Sequence, residues 1–147
     1  MAGSRAGYQG LIDDAHLDGL SVDARQDVWV RILADGDYVL LAQDDAQMLG
    51  FVAFGPARDA DLPGRTGEVY ALYVDPAVWG RGTGRRLLEA AVRELAAAGR
   101  DDSVLWVFED NVRARTFYER CGWIVDGARK VEEHGGAALA EVRYRKA

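Results

Sequence analysis

The sequence predicts an α/β fold, a mixed sheet layered with helices, and three observations carry that reading. Glu68–Val74 (EVYALYV) is apolar at nearly every position, as a strand covered on both faces is. An amphipathic run, Arg85–Ala98, follows it and leads to a second apolar run, Val104–Phe108, so residues 69–108 read as a parallel strand–helix–strand crossover. On either side, paired short apolar runs separated by polar turns read as hairpins.

The elements follow in order. Leu11, Leu17, Leu20, Val28, Ile32 and Leu33 have helical spacing and Ser21 is placed to cap, which predicts a helix from about Val22 to Ala34. Tyr38–Ala42 and Leu49–Phe54 flank the polar DDAQ, a hairpin with a turn of about four residues. PARDADLPGRTG, with two of the three prolines, is a loop. In the helix that follows, Leu87, Leu88, Ala91, Val92, Leu95 and Ala98 form one stripe, and Arg86, Glu89, Arg93 and Glu94 hold the wet face. Gly99 is its stop. Asn111 opens a short helix to about Arg120 that Gly122 ends, and two strands close the chain, WIVDG and AALAEVRYR. In the last, Ala138, Ala140, Val142 and Tyr144 alternate with Leu139, Glu141, Arg143 and Arg145.

A chain of 147 residues that is 49% hydrophobic can bury one core without disulfides or metals, so residues 1–147 read as a single domain. The net charge of −6 argues against a nucleic-acid partner, which needs a basic surface. One cysteine and no long uncharged apolar segment point to a cytoplasmic protein away from membranes. Cys121 reads as a small buried residue, since no histidine lies near it to activate a thiol. His16 and His134 lack ligand spacing, and no metal site is expected. Trp29, Trp79, Trp106 and Trp123 read as core or pocket-wall aromatics, and Asp13, Asp14, Asp44 and Asp45 as solvated turns.

The segment that carries chemistry is DPAVWGRGTGRRLLEAA, Asp75–Ala91. A helix start presents unpaired N–H groups and partial positive charge, and glycines let phosphate oxygens reach them. In WGRGTG the amides of Trp79–Arg85 are placed to wrap a pyrophosphate, with Arg81, Arg85 and Arg86 adding charge. Gly-x-Gly-x-Gly alone is also common in ordinary turns. A Walker loop is excluded, because Gly84 is followed by Arg85 and Arg86 where Lys-Ser/Thr is needed. A dinucleotide fingerprint fits poorly: the glycines follow the third strand, and the acid, Glu109 or Asp110, comes too late.

From Glu68 onward the sequence resembles the GNAT superfamily of N-acetyltransferases. Trp79-Gly80-Arg81-Gly82-Thr83-Gly84 matches that family's Gln/Arg-x-x-Gly-x-Gly/Ala turn, with Trp79 departing from Gln or Arg. Asn111–Trp123, NVRARTFYERCGW, matches its Asn-x-x-Ala-x-x-Phe-Tyr-x-x-x-Gly-Phe segment, with Trp123 for the final Phe. The resemblance covers residues 37–145. It implies a mostly antiparallel sheet with a splayed central strand, and acetyl-CoA as co-substrate. The pantetheine arm would lie against Leu72, Tyr73 and Val74 as a false strand. The pyrophosphate would rest on Trp79, Gly80, Arg81, Gly82, Thr83, Gly84 and Arg85, with Asn111 facing the arm.

For catalysis the resemblance implies Tyr118 as proton donor to the departing thiolate and Glu68 as the base that takes the amine proton through water. The alternatives are a core aromatic at Tyr118 and a solvated strand-end charge at Glu68. The implied function is acetyl transfer to an amine of a small molecule or peptide by direct attack. A non-catalytic acyl-CoA-binding or sensor module and a domain without coenzyme are the rivals. Family members carry a strand and a full first helix before the segment matched by AGYQGLI, so the first strand and part of the first helix are expected to be missing. That would leave the edge beside Tyr38–Ala42 bare and call for a homodimer or another covering element.

Overall fold

The computed structural model describes residues 28–34, 37–44 and 47–146. Val28–Ala34 is a strand, β1, and not the end of a helix. Val28 and Ile32 satisfy a period of two as well as the helical one, but Val30 fits only the period of two, and a run with three β-branched residues and a tryptophan favours extended backbone. Pairing decides it: β1 runs antiparallel to β2 (Asp37–Asp44), from Val28↔Gln43 to Ala34↔Asp37. The edge beside Tyr38–Ala42 is thus covered by this chain itself. Residues 22–27 of the expected helix, with Leu11, Asp13, Asp14, His16, Leu17, Leu20 and Ser21, lie outside the described residues.

β3 (Gln47–Pro56) pairs with β2 as far as Asp44↔Gln47, so the hairpin connection is two residues long, shorter than DDAQ suggests. β4 (Gly67–Val74) is the central strand, and α1 (Thr83–Ala97) carries the chain to β5 (Ser103–Phe108). A short helix, α2 (Val112–Arg120), precedes the hairpin of β6 (Ile124–His134) and β7 (Ala137–Lys146). The seven described strands form one sheet in the order β1-β2-β3-β4-β5-β7-β6. Only β4 and β5 are parallel. β6 continues well past WIVDG, because ARKVEEH pairs with the first half of β7.

The core lies on the α1 face of the sheet. Leu87, Leu88, Ala91 and Leu95 are buried on Val52, Phe54, Val69, Leu105, Val107, Trp123 and Tyr144. Each fully buried leucine contributes about 2 kcal/mol by removal from water. Val39, Leu41, Phe51 and Ala53 form a second cluster on the other face, with Tyr70 and Tyr73. A register shift between Ala53 and Phe54 makes Tyr70 an extra residue in β4, a bulge that bends the strand there.

Candidate active site

The site begins where β4 and β5 separate. They pair only through Gly67↔Ser103, Glu68↔Val104 and Val69↔Leu105, after which each continues without the other. The Asp75 N–H donates to the Leu49 carbonyl, 2.7 Å. In an antiparallel ladder alternate residues turn their groups to the partner, so Tyr73 faces Phe51 on β3 while Leu72 and Val74 turn theirs to the gap. The Val74 carbonyl is taken by the Trp79 indole N–H, 2.9 Å. Leu72 N–H, Leu72 C=O and Val74 N–H therefore face the gap, where β4 has no strand partner among the described residues.

The glycine turn closes one end of this gap. Asp75 caps the short 3₁₀ turn Pro76–Val78 by accepting from Ala77 N–H, and Gly82 leads into α1 at φ 81°. Gly80 is at φ 88°, and a Cβ at either position would meet nothing within 4 Å, so backbone handedness and not crowding demands glycine there. Gly84 differs. A Cβ on it would come 3.3 Å from both Phe117 Cζ and Val74 Cγ2, so glycine draws α1, β4 and α2 together. No side chain caps α1, and Thr83 Oγ1, at its first residue, is buried with no hydrogen-bond partner among the described residues. The Trp79 and Arg81 N–H groups are taken by the Pro76 and Val78 carbonyls, both at 3.3 Å, so the amides left to a ligand are those of Gly80 and of Gly82 onward into α1. That opening and an orphaned hydroxyl fit a group with several acceptor oxygens.

α2 forms the facing wall. Asn111 Oδ1 accepts the Ala114 N–H, 3.1 Å, so its oxygen is spent on capping and its amide nitrogen is left to donate. Arg115 Nε donates to Tyr144 Oη, 3.0 Å, and Tyr144 Oη donates to Glu119 Oε2, 2.6 Å, which pins α2 to β7. Tyr118 is positioned between Phe117 and Tyr144, with centroids at 5.5 and 6.2 Å. Its hydroxyl has no hydrogen-bond partner among the described residues. Burial, helped by the nearby Cys121, pushes its pKa up to about 12, so the phenol keeps its proton at any ordinary pH. Burial also pushes the Cys121 thiol up, which makes it a poor nucleophile.

Glu68 lies on the other face. The position of Gly67 is turned to Leu95 of α1, so its neighbour points away. Glu68 is buried, with Oε1 accepting the Arg58 main-chain N–H and Oε2 its guanidinium, both at 3.0 Å. Two of the carboxylate's four lone-pair sites remain. The same loop continues to a cluster the sequence does not announce. Arg143 on β7, 6% exposed, donates to Asp59, Asp61 and Asp126, and Trp106 Nε1 donates to Asp59, 2.8 Å. The loop is therefore tied to β4 through Arg58 and to β5 and β7 through its aspartates, across the splay.

The other tryptophans divide: Trp123 is core, Trp79 is half-exposed at the turn, and the side chain of Trp29 is outside the described residues. Pairing of β6 with β7 brings Glu132, His134 and Glu141 within 4.8 Å of one another, a juxtaposition across strands that sequence spacing conceals. All three face solvent to some degree, and Glu132 is already paired with Lys130 at 3.6 Å.

A mixed sheet opened between two parallel central strands, with a bare helix start at the opening, defines the N-acetyltransferase class of fold. The chain belongs to the acetyltransferase (GNAT) family, whose model matches residues 9–123. Over 91 residues it is 41% identical to a mycothiol acetyltransferase of Frankia casuarinae, covering 57% of this chain and 26% of that one. It is 32% identical over 108 residues to the uncharacterized N-acetyltransferase YuaI of Bacillus subtilis, covering 73% of this chain and 61% of the relative. The chain thus spans about a quarter of the length of that mycothiol acetyltransferase. Among solved structures it is similar to a GNAT-family protein of Desulfovibrio desulfuricans, with TM-score 0.68, 23% identity, and 99% and 82% of the two chains covered. The yncA protein of Salmonella typhimurium, solved with its cofactor acetyl-CoA, has TM-score 0.64 and 26% identity, with 76% and 64% covered. Among the described residues, no helix is long and apolar enough to cross a membrane.

Proposed function

We propose that this protein transfers the acetyl group of acetyl-CoA to an amine of a small molecule or peptide by direct attack. The observation that carries the reading is the separation of β4 from β5 beside a capless helix start lined by Gly80 and Gly82. When bound, acetyl-CoA supplies the activated thioester. Within the Trp79–Arg85 turn the amides of Gly80 and of Gly82 onward hold its diphosphate, those of Trp79 and Arg81 being bonded inside the turn. Leu72 and Val74 offer main-chain groups to the pantetheine arm, and the Asn111 amide faces the same arm. Tyr73 supports that edge from the β3 side. Tyr118 Oη–H, protonated and unpartnered, gives its proton to the departing thiolate. Glu68, on the opposite face of β4, takes the amine proton through water, with Arg58 orienting its carboxylate.

The pairing of Glu68 with Arg58 also suits a second reading, an acyl-CoA-binding module without turnover. A thiol-release assay with acetyl-CoA and a panel of small and peptidyl amines separates the two. The first reading predicts amine-dependent release of CoA; binding without release on any amine supports the second.

A further inference from the structure

Arg113, in the first turn of α2, lies over the indole of Trp79 with its Cζ 3.5 Å from the ring centroid. The indole is itself fixed by its bond to the Val74 carbonyl, so the guanidinium lies where the start of α2 meets the turn before α1. Helix N-termini favour acids, yet neither helix has one in its first turn. Both carry arginines instead: Arg85 and Arg86 on α1, Arg113 and Arg115 on α2. Arg115 is engaged by Tyr144 and the Glu109 carbonyl, and Arg85 reaches Glu89 at 3.4 Å. Arg113 has no carboxylate partner among the described residues. Two positive helix ends, an arginine stacked between them and the buried, unpartnered hydroxyl of Thr83 make a place short of an anion.

We propose that Arg113, stacked on Trp79, is a phosphate-reading residue of the coenzyme site, its guanidinium binding a phosphate group of CoA. The inference rests on the acetyl-CoA reading above. Trp79 stands where the resembled motif carries Gln or Arg, and Arg113 returns in space the charge that the turn lacks in sequence. Stacking suits the task, because a guanidinium lying on an aromatic face keeps its in-plane N–H donors free and is already ordered before the ligand arrives.

The diphosphate and the 3′-phosphate offer the same chemistry, and titration calorimetry of the full chain with CoA and with 3′-dephospho-CoA distinguishes them. Arg113 is exposed, so Arg113→Met leaves the fold intact, which ligand-free thermal unfolding checks. The variant is expected to bind CoA about tenfold more weakly, the scale of one charge-assisted phosphate contact. Its deficit should shrink when salt is raised to about 0.5 M, where Coulomb attraction is screened. Equal weakening with both ligands assigns the diphosphate, and weakening with CoA alone assigns the 3′-phosphate; either result supports the role. Unchanged affinity in Arg113→Met, with the parent protein binding normally, overturns it. A parent protein that binds neither ligand overturns the coenzyme reading itself.

Discussion

Replacing Tyr118 with phenylalanine is expected to lower kcat about 100-fold while leaving acetyl-CoA affinity close to that of the parent, the usual scale for losing a positioned general acid. The ring contacts with Phe117 and Tyr144 survive the change, and the hydroxyl leaves no buried partner unpaired, so stability should hold. The pH profile adds an independent check. Burial lifts the phenol's pKa to about 12, above its ordinary 10, so the proton-bearing form persists as pH rises and is lost only near that value. The parent's rate should therefore show no decline from this group below about pH 11. Steady-state thiol release measures both. A variant as fast as the parent removes Tyr118 from the chemistry and favours the binding-module reading.

Arg143→Ala is expected to cost about 3–5 kcal/mol of stability at neutral pH, the range for removing one partner of a buried ion pair. The loss leaves Asp126 and Asp59, with side chains 11% and 20% exposed, without their guanidinium partner. The pH dependence has a defined sign. The hydrogen bond from Arg143 holds the Asp61 carboxyl below its usual range. A depressed folded-state pKa stabilises above the unfolded value, near 3.8, and that contribution disappears as pH falls through the folded value. The gap between parent and variant should therefore narrow on acidification through this window, as Asp61 protonates. Urea unfolding at neutral and at acid pH reads this directly. A loss below about 1 kcal/mol at neutral pH would mean that the loop is not held through Arg143.

Local signals made much of this architecture legible. β4, α1, β5 and α2 fall within a residue or two of their expected limits: continuous apolar runs mark the two strands, apolar period and Gly99 mark α1, and the Asn111 cap with Gly122 brackets α2. β1 was hidden because Val28 and Ile32 fit both periods while Leu33 extends the helical one, and the partner strand settles it. The far half of β6 carried no strand signal: ARKVEEH projects where both faces meet solvent, so neither needs to be apolar. At the site, the glycine turn announced itself, but its three glycines answer different demands, handedness at Gly80 and Gly82 and close packing at Gly84. Long-range ties were invisible. Arg143 meets Asp59 and Asp61 from 84 and 82 residues away, inside a segment whose composition says only loop. The stacking of Arg113 on Trp79 likewise depends on two helix starts meeting, which no spacing in the chain encodes.

If main-chain amides of the Trp79–Arg85 turn grip the diphosphate of CoA, calorimetric titration of CoA into the parent and into Gly82→Glu will separate the two proteins. Gly82 sits at φ 81° with open space beyond it, so a glutamate there puts a bulky carboxylate where the phosphates would rest. The expected result is binding by the parent and a loss of about 100-fold or more in the variant, about 2.7 kcal/mol of affinity or more. Equal affinity in a Gly82→Glu protein that unfolds as cooperatively as the parent would contradict it.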